Sequence, residues 1–164
     1  MASAVSKANS FFQHYIEETA VVQAALYASG DLIANKISLV AAVEGDADQR
    51  GPVGGLIQSV IITDLGAQSA ALDVVFFDTD PTSTTFTLNA AFDVDDLDLV
   101  NIVGVAQVTT YAAFSDNSVG QALQLAIPFV LPSGNTLYAA IVSRGTPTYA
   151  STSDLTIRVG VLKG

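Results

Sequence analysis

The chain has 164 residues, half of them apolar, with no Cys, no Trp and a single His, and its 16 carboxylates against 6 Lys plus Arg give a net charge of −10. Without Cys there is no disulfide framework, no thiolate metal site and no Cys nucleophile, and the apolar content excludes a disordered chain. Six cations leave no basic face for tracking nucleic-acid phosphates.

At the N-terminus, Lys7 is followed by Asn9 and Ser10 and then by an aromatic segment running into Glu17 and Glu18. This is no secretory apolar region, which predicts a protein made in a cytoplasm and not exported by a cleaved signal. Ser10 and Gln13 stand at capping-box spacing. Phe11, Phe12, Tyr15 and Ile16 then fall on one face of a helical turn or two. The expectation is a short helix over the first 20 residues, too short to stand alone in water. Its aromatic face therefore docks on its own domain or, as an interface arm, on a neighbouring subunit.

From residue 21 to 164 a single domain is expected, and its pattern has period two. Leu56–Thr63 and Leu72–Phe77 are apolar on both faces, which suits central strands or strands buried again at a subunit contact. Phe86, Leu88, Ala90 and Phe92 alternate with polar neighbours, as do Leu123, Leu125, Ile127, Phe129 and Leu131, and then Leu155, Ile157, Val159 and Val161. Each series reads as a half-buried strand. Turn signals separate the runs: Ser29-Gly30-Asp31, Glu44–Gly55, Asp64-Leu65-Gly66, Asp78–Pro81, Phe92–Asp98, Ser115–Gly120, Pro132–Asn135 and Arg144–Ser153. Eight or nine strands with no long helical pattern between them predict an all-β, antiparallel β-sandwich or barrel, the sandwich preferred and a jelly roll being one standard solution for that strand number. An immunoglobulin-like sandwich fits less well without its Cys pair and Trp. No apolar run approaches the ~18 residues of a membrane span, since Gln124 and Pro128 interrupt one candidate and Gln107 and two Thr another. The missing Trp also argues against the aromatic girdles of an outer-membrane barrel.

Candidate chemistry is sparse. Asp93, Asp95, Asp96 and Asp98 put four oxygen donors in six residues, a weak calcium candidate. The spacing departs from an EF-hand, because Asp98 occupies the glycine position and Gly104 the bidentate-Glu position. The competing reading is a solvated acidic turn with Asp93 capping a helical turn. Asp73, Asp78 and Asp80 form a second acidic group, in a setting typical of turns. His14 would have to serve any Ser–His–Asp triad, yet it lies far from any candidate Ser, and no G-x-S-x-G elbow exists. Gly51–Gly55 lacks the Lys and the following helix of a phosphate loop. Tyr27, Tyr111, Tyr138 and Tyr149 suit a sugar-binding surface, and equally sheet edges and subunit interfaces. No catalytic residue and no cofactor is expected.

Tyr27-Ala28-Ser29-Gly30-Asp31-Leu32-Ile33 resembles the opening of a family of small tailed-bacteriophage virion proteins. In the same order follow Gly55–Asp64, a Gly leading into a strand that ends at Asp, and Leu72–Asp78, followed by a Pro turn. Thr136-Leu137-Tyr138 comes next, and Arg144–Ser151 followed by Asp154-Leu155 closes the pattern. The likeness spans about residues 27–160. The segment before Ala25 has no counterpart, and each motif is mostly strand-and-turn chemistry. The resemblance implies a non-enzymatic capsid decoration or cement protein on the virion exterior. Its implied partners are the major capsid protein and its own copies, as a homotrimer or other symmetric cluster, with neither nucleic acid nor membrane. A host-surface glycan-binding module of a head fibre or tail is the alternative. The apolar half of the composition is large for the core of a lone sandwich, which assigns part of it to interfaces.

Overall fold

A computed structural model describes residues 13–43 and 51–163. Nine strands and one helical turn follow in chain order. They are β1 (Gln13–Ala20), β2 (Ile37–Leu39), β3 (Val53–Asp64), β4 (Leu72–Phe77), α1 (Asp96–Leu99), β5 (Ile102–Val108), β6 (Thr110–Ala113), β7 (Ser118–Leu131), β8 (Leu137–Ser143) and β9 (Leu155–Lys163). They form a five-stranded sheet, β1-β9-β3-β7-β6, and a four-stranded sheet, β2-β8-β4-β5. Every pairing is antiparallel. The strands β1, β2, β3 and β4 pair with β9, β8, β7 and β5 respectively. The chain is thus one long hairpin, closed between β4 and β5 and rolled so that successive pairs fall in alternate sheets. This is the jelly-roll order, with β6 added beside β7.

Alternation builds the core between the sheets. Ile16 and Ala20 of β1, Ile57, Val60 and Ile62 of β3, and Ile157, Val159 and Val161 of β9 point inward from the first sheet. Val74 and Phe76 of β4 and Ala139 and Ile141 of β8 meet them from the second. One end of the sandwich is closed by two carboxylates, which meet around Gly66. Asp64, at the end of β3, accepts from Gly66 N at 3.0 Å, Ser69 N at 2.8 Å and Ser118 Oγ at 3.3 Å. Asp154 accepts from Ala150 N and Ser151 N, both at 2.9 Å, just before β9. Each ties a turn to the strand beside it, as short polar side chains do.

The sheets differ in what covers their outer faces. On the four-stranded sheet a second apolar cluster forms around Leu32, Val75, Phe77, Ala140 and Val142. The segment between β4 and β5 supplies its lid, with Phe86, Leu88, Phe92 and Val94 packed on the cluster. Phe86 and Phe92 rest on each other with ring centroids 5.4 Å apart. This corrects the strand expected at Phe86–Phe92. Those residues are irregular backbone, held to residues 30–32 by the bonds Leu32 N to Ala90 O and Phe92 N to Gly30 O, both 2.9 Å. Their apolar spacing serves a covering loop. The same lid accounts for the burial of β4 at all six positions.

The helix expected at the N-terminus is also corrected. Residues 13–20 are strand β1, paired along its whole length with β9 from Gln13↔Leu162 to Ala20↔Leu155. An open strand edge on β9 offers one ladder of hydrogen bonds and an apolar inner face. That outweighs a helix too short to be stable in water. Ser10, Phe11 and Phe12 lie outside the described residues.

Candidate interaction surface

The acidic residues singled out in the sequence are drawn apart. Asp98 is buried, and its Oδ2 accepts from Ser83 N at 2.9 Å, Thr84 N at 2.6 Å and Thr84 Oγ1 at 2.8 Å. Asp95 caps α1, its Oδ1 accepting from Leu97 N at 2.9 Å, so the capping residue is Asp95 and not Asp93. Asp93 and Asp95 instead border a shallow hollow of about 340 Å³ whose other walls are Ser83, Thr84, Thr85 and Thr87. Among the described residues no group of three or more His, Asp or Glu side chains converges as a metal site.

The second acidic group separates too. Asp73 receives Arg144 Nε at 2.6 Å, while Asp80 pairs with Lys36. Lys36 also lies 5.9 Å from the Phe86 ring centroid and 5.7 Å from that of Tyr138, so it clips the covering loop to β8. Asp78 and Asp80 form one wall of a cavity of about 300 Å³. Ser133, Asn135, Thr136 and Tyr138 form the other.

The tyrosines divide by environment. Tyr27 and Tyr149 are buried and meet edge to face at 5.8 Å. The Tyr27 hydroxyl donates to Ile33 O at 3.0 Å and accepts from Gln23 N at 2.7 Å. Burial pushes the hydroxyl of Tyr149 far above the ordinary tyrosine range, with the charge of Asp64 adding to it. Burial does the same to Tyr111, again with Asp64 adding to it, and the Tyr111 hydroxyl has no hydrogen-bond partner among the described residues. Tyr27 is raised by burial as well. These three are packing groups and line no common surface. Only Tyr138 borders a polar cavity.

Of the expected interface residues, Tyr15 and Ile16 do not share a face. In a strand successive side chains oppose each other. Ile16 points inward at 6% exposure, and Tyr15 points outward at 53%, lying over Gly160. His14 is exposed on the same edge strand. Phe11 and Phe12 fall outside the described residues.

Tyr15 opens onto a surface that sequence periodicity does not reveal. The outer face of the five-stranded sheet carries Leu56 and Ile61 from β3, Leu162 from β9 and Leu123, Pro128 and Val130 from β7. Leu123 and Val130 are more than half exposed, at 53% and 56%. Among the described residues, the charged side chains that strand alternation places on this face are Glu17 and Arg158, opposite each other in the β1–β9 register and joined as an ion pair. The face is electrically neutral on a chain of net charge −10.

Leu123 reaches this face through a distortion. The β3–β7 register runs from Ile57↔Ile127 to Ser59↔Leu123, so three residues of β7 bulge against one of β3. Gln124 and Ala126 take φ of 59° and 50° there, in the left-handed region. Beyond the bulge the inward set is Ile127, Phe129 and Leu131, and before it Ala122. The five apolar residues from Leu123 to Leu131 therefore do not lie on one face, as even spacing predicts. Leu123 is turned out. No family model and no curated protein matches the chain.

Proposed function

We propose that this chain is a virion structural protein, a decoration or cement protein that assembles on the capsid exterior by symmetric contacts with its own copies and with the shell. The observation that carries the reading is the open, neutral, apolar face on the five-stranded sheet. Contiguous exposed apolar surface on a soluble domain marks an interaction site. The jelly roll is a fold used in viral capsid and lectin domains, an analogy of fold. The ordered likeness to phage virion proteins over residues 27–160 points the same way. Asp64 and Asp154 serve turns, Asp95 a helix cap, and Asp73 and Asp80 ion pairs, and the reading assigns the chain contacts and not a reaction. On a symmetric shell, modest contacts repeat and act together, and the acidic remainder keeps free copies soluble and off packaged DNA.

The test is quantification of the chain in purified particles together with co-sedimentation on undecorated capsids. Hundreds of copies per particle and saturable capsid binding are expected. A handful of copies per particle overturns decoration. The N-terminal arm is tested by removing residues 1–12, which leaves every described strand in place. Loss of capsid binding by that folded truncation is expected, and full retention refutes the arm.

A host-surface glycan-binding module is the second reading. The cavity between the 78–80 and 133–136 turns favours it, since two carboxylates, an amide, three hydroxyls and the Tyr138 ring border one hollow. A glycan array that returns no binder removes it.

A further inference from the structure

We infer that the outer face of the five-stranded sheet is the contact between two copies of this chain, packed sheet against sheet about a two-fold axis. The inference deepens the assembly reading above by assigning this face to self-association, which leaves the capsid contact to another part of the molecule.

The two sheets set up the contrast. The four-stranded sheet is covered by the chain's own loop, with Phe86 and Phe92 packed on the cluster that includes Val75 and Phe77. The five-stranded sheet presents Tyr15, Leu123 and Val130, each more than half exposed, beside half-buried Leu56, Ile61 and Leu162. A face of the same architecture that needed a lid on one side is open on the other.

Charge selects the occupant. The chain carries −10 overall, so most of its surfaces repel a copy of themselves. This face does not, because Glu17 and Arg158 cancel in place. An acidic or basic partner would find nothing complementary here. A copy of the same face finds a matching apolar surface, and a two-fold axis lets Glu17 of one copy approach Arg158 of the other without a net charge to bury.

Area agrees. Strands about 4.8 Å apart and about eight residues long give this sheet roughly 650 Å² of outer face. Two such faces bury about 1,300 Å² in total, inside the 1,200–2,000 Å² class of specific interfaces. Small residues flatten the middle of the face. Gly160 leaves room for the Tyr15 ring, so a neighbouring sheet meets a low surface there.

The experiment uses the full chain. Sedimentation velocity at about 50 µM is expected to give a dimer whose mass is the same at 0.05 and 0.5 M NaCl, because the contact is apolar. Leu123→Arg and Val130→Arg, made separately, are expected to give monomers with unchanged far-UV dichroism, while Leu97→Arg on α1 keeps the dimer. Since the chain has no Cys, Ile61→Cys near the middle of the face reports without background. Mild oxidation is expected to convert it to a covalent dimer, and this holds even if an Arg variant misfolds. A wild-type monomer, an oligomer that survives both folded Arg variants, or Ile61→Cys that stays uncrosslinked overturns the inference. Capsid co-sedimentation is scored separately. A dimer that ignores capsids overturns the decoration reading alone, and a monomer that binds them overturns this inference alone.

Discussion

At the residue scale, buried polar groups carry the sharpest consequences. Asp98 holds three donors of the covering loop at 2.6–2.9 Å. Removing it leaves Ser83 N, Thr84 N and Thr84 Oγ1 without their acceptor, and hydrogen bonds to a charged group are the strong ones. Asp98→Ala is expected to lower stability by about 3 kcal/mol in urea unfolding, and to loosen the lid over Phe77. Because Asp98 and Asp95 are committed to backbone donors, millimolar Ca²⁺ is expected to leave the melting temperature of the wild type unchanged. A rise would restore the calcium reading of the acidic turn. Tyr111 is the opposite case. Its hydroxyl is buried without a partner, so Tyr111→Phe removes a desolvated group and is expected to be neutral or stabilising by up to about 1 kcal/mol.

Tyr27, Tyr111 and Tyr149 also set a pH dependence. Burial holds each hydroxyl protonated above its ordinary value of 10.0 in the folded chain. Above that value the unfolded chain releases protons that the folded one keeps, so stability falls as pH rises. The melting temperature is expected to be flat with respect to these groups up to about pH 9 and to drop steeply above pH 10. The double variant Tyr111→Phe/Tyr149→Phe is expected to flatten that alkaline limb. An unchanged slope would show that these tyrosines do not drive it.

At the element scale, β7 departs most from its sequence pattern. Gln124 and Ala126 hold a left-handed backbone that costs an L-residue about 1–2 kcal/mol. Glycine removes that strain at an entropic cost of about 0.5–1 kcal/mol. Gln124→Gly and Ala126→Gly are each expected to stabilise by about 0.5 kcal/mol in urea unfolding, and a loss above 1 kcal/mol would contradict the bulge. The misread elements share a cause. Phe86, Leu88 and Phe92 have the spacing of a strand, but a loop crossing an apolar sheet needs apolar residues at intervals too. Ser10 to Ile16 has the spacing of a helix turn. For residues 13–16 the open edge of β9 decides otherwise, their partners being Val159–Leu162 at the far end of the chain. Period describes which side is buried, and the partner that buries it is not local.

At the scale of the whole molecule, β1 is an edge strand of the five-stranded sheet. Removing residues 1–18 takes away most of this strand, including buried Ile16, and exposes the edge of β9. That truncation is expected to lower the melting temperature by about 10 °C, corresponding to about 3 kcal/mol or more, whereas removing residues 1–12 keeps the described sandwich intact. Equal melting temperatures for the two truncations would place β1 outside the cooperative unit.

The sequence by itself determined the fold class. Period-two apolar runs divided by Gly, Pro and Asp turns leave an antiparallel sandwich as the way to bury one face of each strand, and β3, β4, β7 and β9 all stand where those runs lie. The same residues showed that β4 is apolar on both faces. Only the tertiary structure decided what covers each face. The covering of Phe77 by Phe86 and Phe92, the separation of Asp98 from Asp93 and the outward turn of Leu123 all depend on contacts between residues distant in sequence. A bulge of three residues against one reverses which side a strand presents, and no local pattern encodes it. The neutral apolar face opposite the acidic loops is therefore a property of the folded sheet, assembled from β1, β3, β7 and β9 by strand register.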